Sequence, residues 1–255
     1  MKISAVISEY NPFTPGHAYH IQETKALTHS DAVICIMSGN FVQRGEPAMY
    51  DKQFRTRLAL EGGADVVLEL PTLFALQSAE LFAFGGVKIL DSLKCIDYLS
   101  FGAETELSFL GKIASVLADE PYSFKKELAR NLNEKQPFAQ ARSNALAKYF
   151  NLSEEEKMAL SLPNTILAIE YIKKLIQFES PIQPVSVHRM GAGYHDENGF
   201  SDYMSATALR KAIKENRFST LSGKMSAKTA KMISQQKKYA QDDDFFRMIK
   251  YALLR

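Results

Sequence analysis

An α/β fold with a parallel sheet and crossover helices is what this sequence predicts. Three observations carry that prediction. Short apolar runs occur at 3–7, 32–37, 65–70 and 96–101, helical patterns separate them at 17–28, 53–62 and 73–91, and an Asn11-Pro12 turn signal stands between the first run and the first helix. The run Ile3-Ser4-Ala5-Val6-Ile7-Ser8 reads as the opening strand, and the amphipathic stretch from His20 to Thr28 continues the helix that follows it. Residues 106–178 read as mostly helical, most clearly at 123–133, 137–150 and 163–175. A further strand is expected at 182–187 and a helix at 205–216. In a sheet of this kind a ligand site lies outside the carboxyl ends of the strands, where the Thr14–His17 turn, the 38–45 loop and Gly102 would fall. The expected organisation is a domain over 1–204, with a helical insertion at 106–178, and a basic helical region over 205–255 that is read as truncated. No internal repeat or low-complexity tract interrupts it.

At 255 residues, 46% apolar and 24% charged, the chain can bury a sizeable core. Cys35 and Cys95 both sit in apolar runs read as buried strands, so they are expected to be core residues in a reducing compartment, not ligands or disulfide partners. No charged-then-apolar leader precedes Ile3, and no run approaches the ~18 apolar residues of a membrane span. The expected location is therefore the cytoplasm. The net charge of +2 hides an asymmetry: residues 205–255 carry 12 Lys and Arg against 4 Asp and Glu, so the rest of the chain is acidic. A polyanion suits such a split, with Lys211, Lys214, Arg217, Lys224, Lys228, Lys231, Lys237 and Lys238 available to phosphates. A solvated helical surface accounts for the same charges equally well.

The segment Thr14-Pro15-Gly16-His17 ends a strand and opens a helix. Gly16 has no Cβ to keep a phosphate at a distance, and the free N–H groups and positive end of the helix favour an anion there. His17 can point at the same phosphate, Thr14 can add a hydroxyl, and His20 lies on nearly the same helical face. This pattern resembles the (His/Thr)-x-Gly-His motif of the nucleotidyltransferase superfamily, which implies adenylyl transfer from ATP. A second stretch, Ser205-Ala206-Thr207-Ala208-Leu209-Arg210, puts two hydroxyls and a guanidinium at a helix start. It is similar to that superfamily's Ser-x-Thr-x-x-Arg motif, and Arg210 would hold the β- and γ-phosphates. A simple capped helix is the alternative. No P-loop or dinucleotide glycine motif is present, and Arg189-Met190-Gly191-Ala192-Gly193 is one residue short of an acetyl-CoA pyrophosphate loop. His188, His195 and Asp196 flank a Gly-rich turn without the paired spacing of a zinc site.

Several stretches together resemble the tRNA(Met) cytidine acetate ligase family. They are Glu9-Tyr10-Asn11-Pro12-Phe13, Met37-Ser38-Gly39-Asn40-Phe41-Val42-Gln43-Arg44-Gly45-Glu46-Pro47, Val67-Leu68-Glu69-Leu70-Pro71, Ser100-Phe101-Gly102-Ala103-Glu104, Leu162-Pro163-Asn164, His188-Arg189 and the second motif. The resemblance implies a Rossmann-like nucleotidyltransferase sheet and a two-step reaction: ATP and acetate give acetyl-adenylate, and the acetyl group passes to N4 of the wobble cytidine of elongator tRNA(Met). Mg²⁺ is expected to accompany ATP, and neither acetyl-CoA nor an obligate protein partner is required. Carried over, the catalytic positions are Thr14, His17 and His20. The ATP site would comprise Ile7, Ser8, Glu9, Tyr10, Asn11, Pro12, Phe13, Gly16, Gly102, Asn164, Arg189, Ser205, Thr207 and Arg210. Following the second strand on the switch-point side of the sheet, Ser38, Gly39, Asn40, Gln43 and Arg44 would form the acceptor side, where Arg44 or backbone N–H groups orient acetate; tethering the loop to an acidic neighbour is the alternative use of Arg44. Thr14 stands where many relatives carry histidine, and those relatives extend past the basic region. Two other functions use the same features: a small-molecule adenylyltransferase, and an RNA-binding module without turnover.

Overall fold

The apolar runs form β1 (Ile3–Ser8), β2 (Ala32–Ser38), β3 (Val66–Leu70), β4 (Tyr98–Ala103) and β5 (Gln183–His188). All pair in parallel in one sheet of order β3-β2-β1-β4-β5. The computed structural model describes residues 1–43, 45–188, 205–218 and 225–254. Side chains alternate across the sheet as a two-residue period requires. Ile3, Ala5 and Ile7 of β1, with Ile34 and Ile36 of β2, enter one core cluster, while Val6, Val33, Cys35 and Met37 enter the other.

Helices cover both faces, as a parallel sheet demands. In chain order they are α1 (Pro15–Thr28), α2 (Lys52–Glu61), α3 (Thr72–Ala75), α4 (Ala79–Leu93), α5 (Leu107–Asp119), α6 (Tyr122–Asn133), α7 (Phe138–Phe150), α8 (Glu154–Ala159), α9 (Pro163–Gln177), α10 (Ala206–Lys214), α11 (Ala227–Gln235) and α12 (Asp242–Leu253). Ile21 of α1, Phe54 and Leu58 of α2, Leu209 and Ile213 of α10 and Ile233 of α11 pack on the Val6 face. The opposite face receives α4, α5 and α9 through residues such as Val87, Ile113 and Ile169.

The chain leaves β1 toward β2 and β3, then returns to place β4 on β1's other side. That reversal opens a crevice at the carboxyl ends of β1 and β4, the place where such sheets hold ligands. Two expectations are corrected here. The single helix expected at 73–91 is two, because Leu76 caps α3 and Ser78 starts α4. The break lets Phe74 fold onto Gly85, where a Cβ would lie 2.3 Å from the Phe74 ring. Cys95 is exposed, not buried in a strand: α4 ends with Lys94 at φ 55, and β4 begins only at Tyr98.

An ionic cluster ties the helical layer together. Buried Glu170 of α9 pairs with Arg142 of α7 at 2.7 Å and with Lys173 at 3.0 Å. Lys173 and Lys174 also reach Glu80 of α4, at 2.9 and 3.0 Å. The hydrogen bond from Lys173, seconded by Lys174, holds the Glu80 carboxyl down at about 2.

Candidate functional site

The backbone after β1 turns sharply: Tyr10 takes a left-handed φ of 46°, and the Asn11-Pro12 bond is cis. Thr14 then caps α1. Its hydroxyl accepts the His17 N–H at 3.4 Å, and the His17 ring Nδ1 accepts the Thr14 N–H at 3.0 Å, a reciprocal capping box. Because Nδ1 is the acceptor, the neutral imidazole carries its proton on Nε2, the nitrogen turned away from the cap. Tyr10 and Phe13 hold the ring at centroid distances of 4.8 and 5.6 Å.

The free N–H groups expected at this helix start are fewer than anticipated. Pro15 has none, and His17 and Ala18 both donate to the Thr14 carbonyl, at 3.0 and 3.2 Å. The Gly16 N–H is the first-turn donor without a partner among the described residues. A Cβ on Gly16 would meet only Thr14 Oγ1, at an ordinary 3.7 Å. The missing side chain therefore leaves surface open and relieves no clash.

His20 points toward β4, with Nε2 3.0 Å from Ser100 Oγ. Ser100 also meets Thr24 Oγ1 at 2.7 Å; Thr28 donates to the Thr24 carbonyl at 2.6 Å, and its hydroxyl joins those of Ser4 and Ser30. Gly102 lies at the crevice end of β4, half-buried. Asn164, at the start of α9, donates to Glu104 just beyond β4 at 2.9 Å.

The second motif packs directly against the first. Ser205 caps α10 by accepting the Ala208 N–H at 3.1 Å. Arg210 donates one N–H to the Asn11 carbonyl at 2.7 Å and another to Thr207 Oγ1 at 3.1 Å. Its planar fork is thereby aimed, with N–H groups left over for an anion. Buried Leu209 and Ile213 anchor the helix beneath it.

Much of the 7–13 segment is scaffold. Ile7, Tyr10 and Phe13 are buried, and Tyr10 spends its hydroxyl on Cys35 Sγ at 3.3 Å. The side chains of Glu9 and Asn11 fasten the loop after β2: Glu9 accepts the Gln43 N–H at 2.7 Å and Asn11 the Met49 N–H at 2.8 Å. Within that loop Val42 and Gly45 donate to the Glu46 and Val42 carbonyls, and Asn40 Oδ1 accepts the Lys52 N–H at 3.2 Å. Within these two segments the Ser8 and Ser38 hydroxyls are buried without a hydrogen-bond partner among the described residues.

Sequence reasoning missed the residue that joins these pieces. Arg55 of α2 is wholly buried and donates to the carbonyls of Glu9, Ser38, Gly39 and Tyr50. Burial pushes its guanidinium down to about 10, partly offset by Glu9, Asp51 and Glu69. The only signal was an arginine on the apolar side of a helix, between Phe54 and Leu58.

Lys211, Lys214 and Arg217 are exposed on and just after α10, Lys228 and Lys231 on α11, and Lys237 and Lys238 beyond it. Lys228 pairs with Glu61 and Arg217 with Glu215. Arg44, Arg189 and Lys224 lie outside the described residues, as do residues 190–196.

The model of the HIGH Nucleotidyl Transferase family matches residues 1–255. A tRNA(Met) cytidine acetate ligase of Halothermothrix orenii is 41% identical over 244 residues, covering 92% of this chain and 58% of the relative. One from Clostridium botulinum (strain Okra) is 43% identical over 263 residues, covering 98% and 64%. The crystal structure of Thermotoga maritima TmcAL bound with alpha-thio ATP superposes with a TM-score of 0.84 at 37% identity, covering 92% of this chain and 56% of that one. The chain thus spans less than two thirds of the length of the curated relatives it matches.

Proposed function

The chain belongs to the HIGH nucleotidyl transferase family, and from that premise we propose that it is an ATP-dependent ligase that activates acetate and acetylates N4 of the wobble cytidine of elongator tRNA(Met). The observation that carries the reading is the bond from Arg210 to the Asn11 carbonyl. It sets the second motif against the turn that presents His17, so groups suited to both ends of a triphosphate face one crevice.

In the first step a carboxylate oxygen of acetate attacks the α-phosphorus in line, and pyrophosphate leaves. The His17 Nε2 proton and the Gly16 N–H stabilise the charge that grows on the α-phosphate oxygens. The cap fixes His17 beforehand, so the ring need not reorganise. Arg210, with Ser205 and Thr207, holds the departing phosphates. His20 steadies the β4 side of the crevice, and Gly102, Asn164 and Arg189 contact the nucleotide. Mg²⁺ accompanying ATP would supply charge neutralisation of the phosphates beside Arg210. Acetate seats against the 38–46 loop, oriented by Arg44 or by backbone N–H groups. In the second step the cytidine N4 attacks the acetyl carbonyl, loses a proton, and AMP leaves. The exposed lysines after residue 210 contact tRNA phosphates, and acetyl-CoA takes no part. The setting is the cytoplasm, in keeping with described helices that are none of them long and apolar enough to cross a membrane.

The test is acetate-dependent exchange of pyrophosphate into ATP, followed by transfer of labelled acetate to tRNA. His17→Ala should lower the exchange rate by about 10²- to 10³-fold. The fold should survive the loss of one half of the cap, which costs about 1 kcal/mol. Exchange without acetate points instead to a small-molecule adenylyltransferase, and full-speed exchange by His17→Ala removes the mechanism.

A further inference from the structure

A groove of about 370 Å³ opens between the start of α2 and the ends of β2 and β3, apart from the triphosphate crevice. We propose that it is the subsite for the acceptor base, an unstacked cytosine presented by a single-stranded RNA loop. This rests on the ligase reading above, which supplies the acceptor but not its place.

Four observations carry the proposal. First, position: β2 neighbours β1, and α2 starts at the carboxyl end of the strands. The groove is therefore about 5–10 Å across the sheet from the crevice, on the same end. Second, size: the volume far exceeds what a two-carbon acid fills, and it accommodates a pyrimidine with part of its ribose.

Third, lining: Met37 and Val67 give an apolar floor, while Gln53 and Thr56 present polar groups that bond to no described residue. Ser38, wholly buried at the edge of the floor, likewise has a hydroxyl without a partner among the described residues. Unused polar groups beside an apolar floor fit a flat heterocycle with a polar edge. Fourth, charge: Arg57 is held over the Phe54 ring at 5.6 Å, so a guanidinium plane borders the groove where a base can stack and a phosphate can approach. Opposite it, one Glu69 oxygen takes the Lys52 ammonium at 2.6 Å. The other lies against Gly39, where a Cβ would be 2.4 Å away. A carboxylate accepts from the exocyclic amine of cytosine, a donor that uracil lacks.

The test uses three anticodon stem-loop RNAs that differ only at the wobble position, carrying cytidine, uridine or an abasic site, titrated against the chain by fluorescence anisotropy. The cytidine loop should bind about tenfold tighter than the abasic loop, with uridine between them. Gln53→Ala and Thr56→Val should each narrow the gap between the cytidine and abasic loops, and Glu69→Gln should close the gap between cytidine and uridine. Equal binding of all three RNAs by the native chain, or an undiminished cytidine preference in all three variants, overturns the subsite. Acetate-dependent exchange is measured beside it. Its absence while the cytidine preference persists would sink the ligase reading and support the subsite, whereas normal exchange without base preference would sink the subsite alone.

Discussion

Arg55 shows how much one side chain can organise. Its guanidinium reaches carbonyls at the end of β1, the end of β2 and the last turn before α2, so it holds the crevice wall and the groove wall at once. Replacing it with Met would leave those carbonyls buried without a donor. Arg55→Met should cost about 3–5 kcal/mol, read as a lower urea midpoint at unchanged slope. Arg55→Lys should recover only part of the loss, because an ammonium lacks the fork that serves separate acceptors. This residue was illegible in the sequence for a physical reason. An arginine within an amphipathic helix ordinarily extends its head to water, and the acceptors that draw Arg55 inward come from segments that only the fold brings together. His17 was legible because its signal is local: strand, turn, glycine and helix start are neighbours in the chain. What the local pattern did not convey was that Thr14 and His17 would spend their first bonds on each other.

At the scale of elements, the close approach of α2 to the turn before α1 is the most sensitive contact. Gly62 caps α2 at φ −82°, a backbone any residue adopts, yet a Cβ there would lie 2.2 Å from the Phe13 ring. Phe13 in turn packs behind His17. Gly62→Ala should cost about 1–3 kcal/mol through overpacking and lower the exchange rate by about tenfold or more by displacing the imidazole. Gly111→Ala is the contrasting case: it lies within α5 with nothing inside 4 Å of its would-be Cβ. Helix propensity then acts alone, and this substitution should stabilise by up to about 1 kcal/mol with activity unchanged. Paired thermal melts and exchange assays check both. The strands and most helices could be read in advance because each carries its own apolar period. The boundary between α3 and α4 could not, since Leu76-Gln77-Ser78 continues a helical pattern, and the preference of Phe74 for Gly85 is a tertiary matter. Cys95 was misplaced for the same reason: an apolar neighbourhood does not say where a helix hands over to a strand.

For the whole molecule, the parallel order β3-β2-β1-β4-β5 sets the crevice, and the ionic cluster of α4, α7 and α9 steadies the layer behind it. Glu80 titrates at about 2 in the folded chain against an ordinary 4.5, so its contribution is fully present above about 4.5 and is lost as the pH falls toward 2. Glu80→Gln should cost about 1 kcal/mol at pH 7, discounted for a carboxylate half open to solvent. The deficit should shrink through pH 4 and vanish near pH 2, as urea titrations at the three values would show. A constant deficit would mean that the loss is one of packing and not of charge. The parallel sheet followed from strand and helix alternation, whereas the seating of α10 on the same face as α1 depended on buried Leu209 and Ile213. That seating has a temporal consequence. The guanidinium that touches the Asn11 carbonyl is separated from it by 199 residues, so a chain emerging from the ribosome carries its imidazole long before it carries the second half of the proposed clamp. Until α10 has been synthesised, the nascent polypeptide holds all five strands yet lacks the guanidinium that the proposed grip on both ends of a triphosphate requires.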